Sequence, residues 1–189
     1  FKPLQTKADK LDYFVKEDKL QEFPYIRELL SGDQETRDAA IERLEDYPEF
    51  ASPMVLLLGA EYYAQQGNKE KAAIYLLVSQ LRAQFDMQRW PVVNDSGLKS
   101  RQTTHPAKDT FSLSKQVSKQ ITGWAVADKS RALKILHDVK LWDKKTSYAY
   151  RPTYDLPSST DIETWKDLHE AASKSFIDKQ VEIITLIHP

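Results

Sequence analysis

The chain reads as all-α: about seven helices, helical hairpins packed as a short repeat-like bundle with two long irregular loops. Three observations point to that class. Apolar residues recur at spacings of three and four along most of the 189 residues, the period of a helix with one buried face. Glycine is scarce, with 5 in the chain, so few positive-φ positions exist for the tight hairpins of a sheet-rich fold. Helix-starting Ser, Asp and Pro and helix-ending Gly and Pro punctuate the apolar runs. No segment reads as a strand.

Taken in order, Leu11, Phe14, Val15 and Leu20 form a loose helical face between Asp9 and Phe23. Pro24 opens a new short helix carrying Tyr25, Ile26, Leu29 and Leu30, because proline is tolerated in a first turn. Ser31-Gly32 closes it, and Asp33 can cap the next helix, whose apolar face is Ala40, Ile41 and Leu44. Tyr47-Pro48 ends that helix. Ser52-Pro53 starts another by side-chain capping and by a proline whose missing amide costs nothing there. It stops at Gln66-Gly67-Asn68, and a further helix follows at once, patterned from Ala72 to Trp90. So short a turn makes the two antiparallel neighbours. Residues 91–110 lack periodic apolar positions and read as the first irregular loop. Helical pattern resumes with Phe111, Val117, Ile121 and Trp124, then Leu133, Leu136 and Val139. The second loop, 141–160, is tyrosine- and proline-rich. Thr160-x-x-Glu163 reads as a capping box for a last helix with Trp165, Leu168, Ala172, Phe176, Ile183 and Leu186 on its face. One helical domain spanning 1–189 accommodates all of this.

The segment from Leu56 to Ala72, with Leu76 and Ser79 beyond it, resembles a tetratricopeptide repeat. Aligned on Gln66-Gly67-Asn68, Ala60 takes the small position of the first helix and Tyr63 its aromatic one. Ala72 takes the small position of the second helix, and Leu76 and Ser79 its following large and small ones. Leu56 stands where the family carries tryptophan, and Gly59 sits one residue early. The related Sel1-type repeat is similar to the same degree. The likeness covers one hairpin, residues 53–90, and implies a groove for a protein or peptide without implying chemistry.

Composition narrows the function classes. With no cysteine, thiol catalysis, disulfides and thiolate metal sites are excluded. No apolar run approaches the roughly 20 residues of a membrane-spanning helix. The opening Phe1 fits either a removed leader or a trimmed chain, with a lean toward the bacterial periplasm or export. The net charge of −1 hides an asymmetry. Residues 1–61 hold 8 Lys and Arg against 14 Asp and Glu, residues 99–151 hold 12 against 4, and residues 152–189 hold 3 against 7. Acidic ends folded around a basic middle, or a basic face that steers a charged partner, both fit such patterning.

No catalytic, cofactor-binding or metal-ligating set emerges. His105, His137, His169 and His188 lack metal-ligand spacing and read as surface or helix-edge residues. Ser112-Leu113-Ser114-Lys115 has the serine-x-x-lysine spacing of penicillin-recognising enzymes without the companion motifs. The stretch from Lys140 to Tyr154 mixes amines with aromatic rings, the residue types that carry binding energy at protein interfaces. Trp142, Tyr148, Tyr150, Arg151 and Tyr154, with Arg101 from the other loop, are therefore the expected partner-binding residues. The expected function is a non-enzymatic protein-binding module, of the kind an inhibitor, an immunity protein or an adaptor would be. Its partner would be another protein, such as a toxin or a secretion-complex component. Two alternatives remain beside it: a hydrolase with an acid–histidine site, and an RNA-binding module using the basic 99–151 region.

Overall fold

A computed structural model of the chain describes residues 17, 20–93, 99–100, 107–150 and 160–189. Among these residues it is helical, with seven α-helices and two short 3-10 turns. The apolar face expected between Asp9 and Phe23 falls largely outside the described residues.

Helix α1 (Glu22–Leu29) carries Pro24 in its first turn and buries Tyr25 and Leu29. In α2 (Gln34–Asp46) the Asp33 carboxylate accepts from the Thr36 amide at 2.8 Å, and Ala40, Ile41 and Leu44 turn inward. Tyr47 leads into a 3-10 turn at Pro48–Phe50. Helix α3 (Pro53–Gln65) starts as its sequence requires: the Ser52 hydroxyl accepts from the Val55 amide at 3.3 Å and Pro53 follows. Gly67 makes the turn at φ +76°, a conformation that a side chain would strain. The Asn68 side-chain Oδ1 then accepts from the Lys71 amide at 3.1 Å to open α4 (Lys69–Arg89), 21 residues long.

Helix α5 (Ala107–Val126) and α6 (Lys129–Lys145) form a further pair, with Asp128 capping α6 through the Arg131 amide at 2.7 Å. A 3-10 turn at Ile162–Thr164 runs into α7 (Trp165–Ile187).

Packing builds on the α3–α4 hairpin. Gly59 lies where α3 meets its neighbours: a Cβ there would come within 2.8 Å of Leu44 Cδ2 and 3.1 Å of Tyr75 Cδ1. Ala60 and Ala72 are also fully buried. The first helices of successive pairs, α1, α3 and α5, lie side by side, and α4 packs on α3, α5, α6 and α7. Helices α6 and α7 are antiparallel. Asp143, near the end of α6, meets His169 near the start of α7, while Lys129 at the start of α6 donates to the carbonyl of His188 at 2.7 Å.

Four sequence expectations change. Helix α5 starts at Ala107, so the loop expected over 91–110 is shorter at its end. Ala107 and Thr110 are buried one turn apart, and that packing outweighs a weak apolar pattern. Within the same loop, Val92–Val93 pairs antiparallel with Lys99–Ser100. Helix α6 continues to Lys145, so 141–145 belongs to it rather than to the second loop. The Thr160-x-x-Glu163 box does not form. Asp161 accepts from the Glu163 amide at 3.1 Å instead, and Thr160 directs both its amide and its hydroxyl to the Arg89 carbonyl, at 2.8 and 3.1 Å.

Candidate functional site

Helix α4 carries Arg82, Asp86 and Arg89 on one face, at spacings of four and three. All three are buried. The Arg82 guanidinium donates to the carbonyls of Pro48 at 3.1 Å, of Ala51, and of Ser147 at 2.8 Å. It lies over the rings of Trp142 and Tyr150, at 4.8 and 4.7 Å. Burial pulls its pKa below the ordinary arginine value, yet a guanidinium remains charged at any physiological pH.

Arg89 donates from Nε to Asp86 Oδ1 at 2.9 Å, while its Nη1 and Nη2 have no hydrogen-bond acceptor among the described residues. Rings stand in their place: Trp90 at 3.7 Å, Tyr150 at 4.5 Å, and Phe85 and Trp165 each at 4.8 Å. Such cation–π contacts offset part of the cost of burying the charge. The Tyr150 hydroxyl donates to the same Asp86 oxygen at 2.6 Å. Burial, then the Asp86 charge, push the Tyr150 pKa well above its ordinary value, so it remains a neutral donor.

This network decides where the expected partner-binding residues sit. Tyr150 is 3% exposed and bonded into the α4 network, so its ring is not presented at the surface. Trp142 is half-buried against Arg82. Tyr148 is half-buried, its ring 4.9 Å from both Phe85 and His169. Arg101, Arg151 and Tyr154 lie outside the described residues.

Beside Tyr148 opens a groove of about 640 Å³ between the end of α6 and the first turns of α7. Five lysines and three carboxylates line it. At its base His169 Nε2 lies 2.9 Å from Asp143 Oδ1, and the ring edge packs on Phe85 at 5.1 Å. Ser173 lines the same groove one turn along α7. A second groove, about 390 Å³, runs across α1, α3 and α5 and is lined by Ile26, Leu30, Met54, Leu57, Leu58 and Val117, among others. Its rim exposes Leu30 and Leu113 at 64% and 44%.

No protein-family model, curated protein or solved structure matches this chain.

The remaining sequence candidates find ordinary places. Ser112 and Lys115 are both exposed on α5, and no hydrogen bond joins them. His137 is exposed, and a ring nitrogen of His188 lies 2.7 Å from the Val126 carbonyl. His105 lies outside the described residues. Among the described residues, no group of three or more His, Asp and Glu side chains could hold a metal ion, and no helix is long and apolar enough to cross a membrane. No ion pair between described side chains joins a Lys or Arg of 99–151 to a carboxylate of 1–61 or 152–189.

Sequence reasoning missed two features. The Arg82–Asp86–Arg89 set had a signal, three charges at helical spacing on the same face as Val78 and Phe85. The His169–Asp143 pair joins residues 26 apart in different helices, and no local pattern marks it.

Proposed function

We propose that the chain is a non-catalytic protein-binding module, acting as an inhibitor, immunity protein or adaptor does, and that its partner docks across α1, α3 and α5. The observation that carries this is the apolar groove over three adjacent helices, with leucines left in water at its rim. Exposed contiguous apolar surface marks interaction sites. The tetratricopeptide-like hairpin supports it, since that family presents peptide-binding grooves. A segment with apolar anchors one helical turn apart suits the shape, and basic flanks suit the acidic surplus of residues 1–61.

Capture from an extract of the source organism, followed by mass spectrometry, tests the proposal. Wild type should retain one stoichiometric protein that the Leu30→Glu/Leu113→Glu variant loses. Recovery of no partner, or equal recovery on both, sinks it.

One observation favours a second reading. A histidine meeting an acid at hydrogen-bond distance in a groove is the arrangement a hydrolase needs. Against it, the ring of His169 is packed on Phe85 and Tyr148. Ester or phosphodiester turnover by the purified chain, abolished in His169→Ala, would establish that reading over the first.

A further inference from the structure

We propose that the α6–α7 groove is a second binding site, separate from the α1–α3–α5 groove, and that it takes an acidic protein segment in extended form. Lys140 and Lys144 stand one turn apart on α6, Lys145 follows, and Lys166 faces them from α7. All four are exposed, and none makes an ion pair among the described residues. Like charges one turn apart on a helix repel by a few tenths of a kcal/mol. No described carboxylate forms an ion pair with either amine; a bound carboxylate would relieve that repulsion.

The acids of the groove are largely committed. Asp143 is engaged with His169, and Asp178 pairs with Lys174 at 2.5 Å. Glu170 alone is left against four lysines. From Lys166 to Asp178 the α7 wall runs about 18 Å at the helical rise, room for about five extended residues. Lysine stems, Ile177 and the Tyr148 ring supply an apolar floor under the charges.

A nucleic-acid strand fits less well. Glu170 and Asp178 stand on the α7 wall along which phosphates would run, and the Tyr148 ring already packs on Phe85 and His169 instead of standing open for base stacking.

The test is fluorescence anisotropy of the full chain with three labelled probes: a peptide of five alternating Glu and Asp residues, its Gln and Asn counterpart, and an oligouridylate of equal length. The acidic peptide should saturate at one per chain, and the neutral one should bind about tenfold more weakly or worse. Lys140→Glu/Lys144→Glu should weaken acidic-peptide binding by about tenfold or more, and Lys115→Glu/Lys119→Glu, the same charge change on α5, by less than about twofold. Urea unfolding of both variants checks that each is folded. The proposal is overturned if the acidic peptide does not saturate, if it binds both double variants equally, or if the oligouridylate binds more tightly. The Leu30→Glu/Leu113→Glu variant should bind the acidic peptide as wild type does, which keeps the two sites' failures apart.

Discussion

At the scale of single residues, the strongest constraint is charge placed where water cannot reach it. Arg89 is fully buried, with Asp86 as the acceptor of its Nε and aromatic faces around its other nitrogens. Removing that carboxylate leaves the cation uncompensated, which typically costs about 3–5 kcal/mol. Asp86→Ala should therefore lose stability on that order in urea unfolding. Exchanging the whole pair is cheaper than breaking it, so Asp86→Ala/Arg89→Met should recover a large part of the loss. A double variant no more stable than Asp86→Ala would show that the network is not held by this charge pair. The burial of Tyr150 had no local signal in the sequence. A tyrosine among lysines looks like a surface residue until a carboxylate 64 positions away claims its hydroxyl.

At the scale of elements, close approach between helices sets the tolerance to change. Alanine at position 59 would improve helix propensity by about 1 kcal/mol. The contacts its Cβ would make with Leu44 and Tyr75 work against it, and overpacking of a tight crossing costs about 1–3 kcal/mol. The net expectation for Gly59→Ala is a lower Tm, and an unchanged or raised Tm would mean α2 and α4 yield freely.

Glu45 ties α2 to the hairpin, accepting from the Tyr63 hydroxyl and from Lys71. Burial raises its pKa, but those two hydrogen bonds outweigh it and hold the carboxyl below the ordinary range. A depressed pKa stabilises the fold above the unfolded value, and that contribution is lost as pH falls through the folded value. Wild type should thus exceed Glu45→Gln by under about 1 kcal/mol near neutrality, as suits a half-exposed pair. The difference should vanish in acid, and paired thermal melts across pH would read it.

What was legible in the sequence follows from range. The Asp33 and Ser52 caps, Pro53 and the Gly67 turn act within four residues of themselves, so the α2, α3 and α4 boundaries could be read directly. The grooves could not, because each needs helices far apart in the chain. The Thr160 box failed for the same reason: a distant carbonyl, that of Arg89, took the Thr160 amide that the Glu163 side chain would have accepted from.

At the scale of the whole molecule, α4 is the axis and α7 the more lightly held piece. Helix α4 buries residues along its full length, whereas α7 buries Ala172, Phe176 and Ile184. Phe176→Ala should cost about 3–5 kcal/mol if the protein unfolds as one unit. If α7 opens separately, hydrogen exchange should rise across 165–187 while α3 and α4 stay protected. Mass-spectrometric exchange separates these outcomes, and uniform acceleration everywhere would argue against independent opening. The distinction matters for the α6–α7 groove, one wall of which is α7.

Arg82 carries a consequence for the making of the protein. Two of its carbonyl partners, Pro48 and Ala51, precede it in the chain, but the third, Ser147, follows 65 positions later. At about 5–20 residues per second, a ribosome needs about 3–13 s to cover that distance. For that interval the emerging α3–α4 hairpin exists without Ser147, Tyr150 or Trp142 over its most polar face. The hairpin that is easiest to recognise is therefore translated early and completed late, its finished core waiting on residues that have yet to be translated.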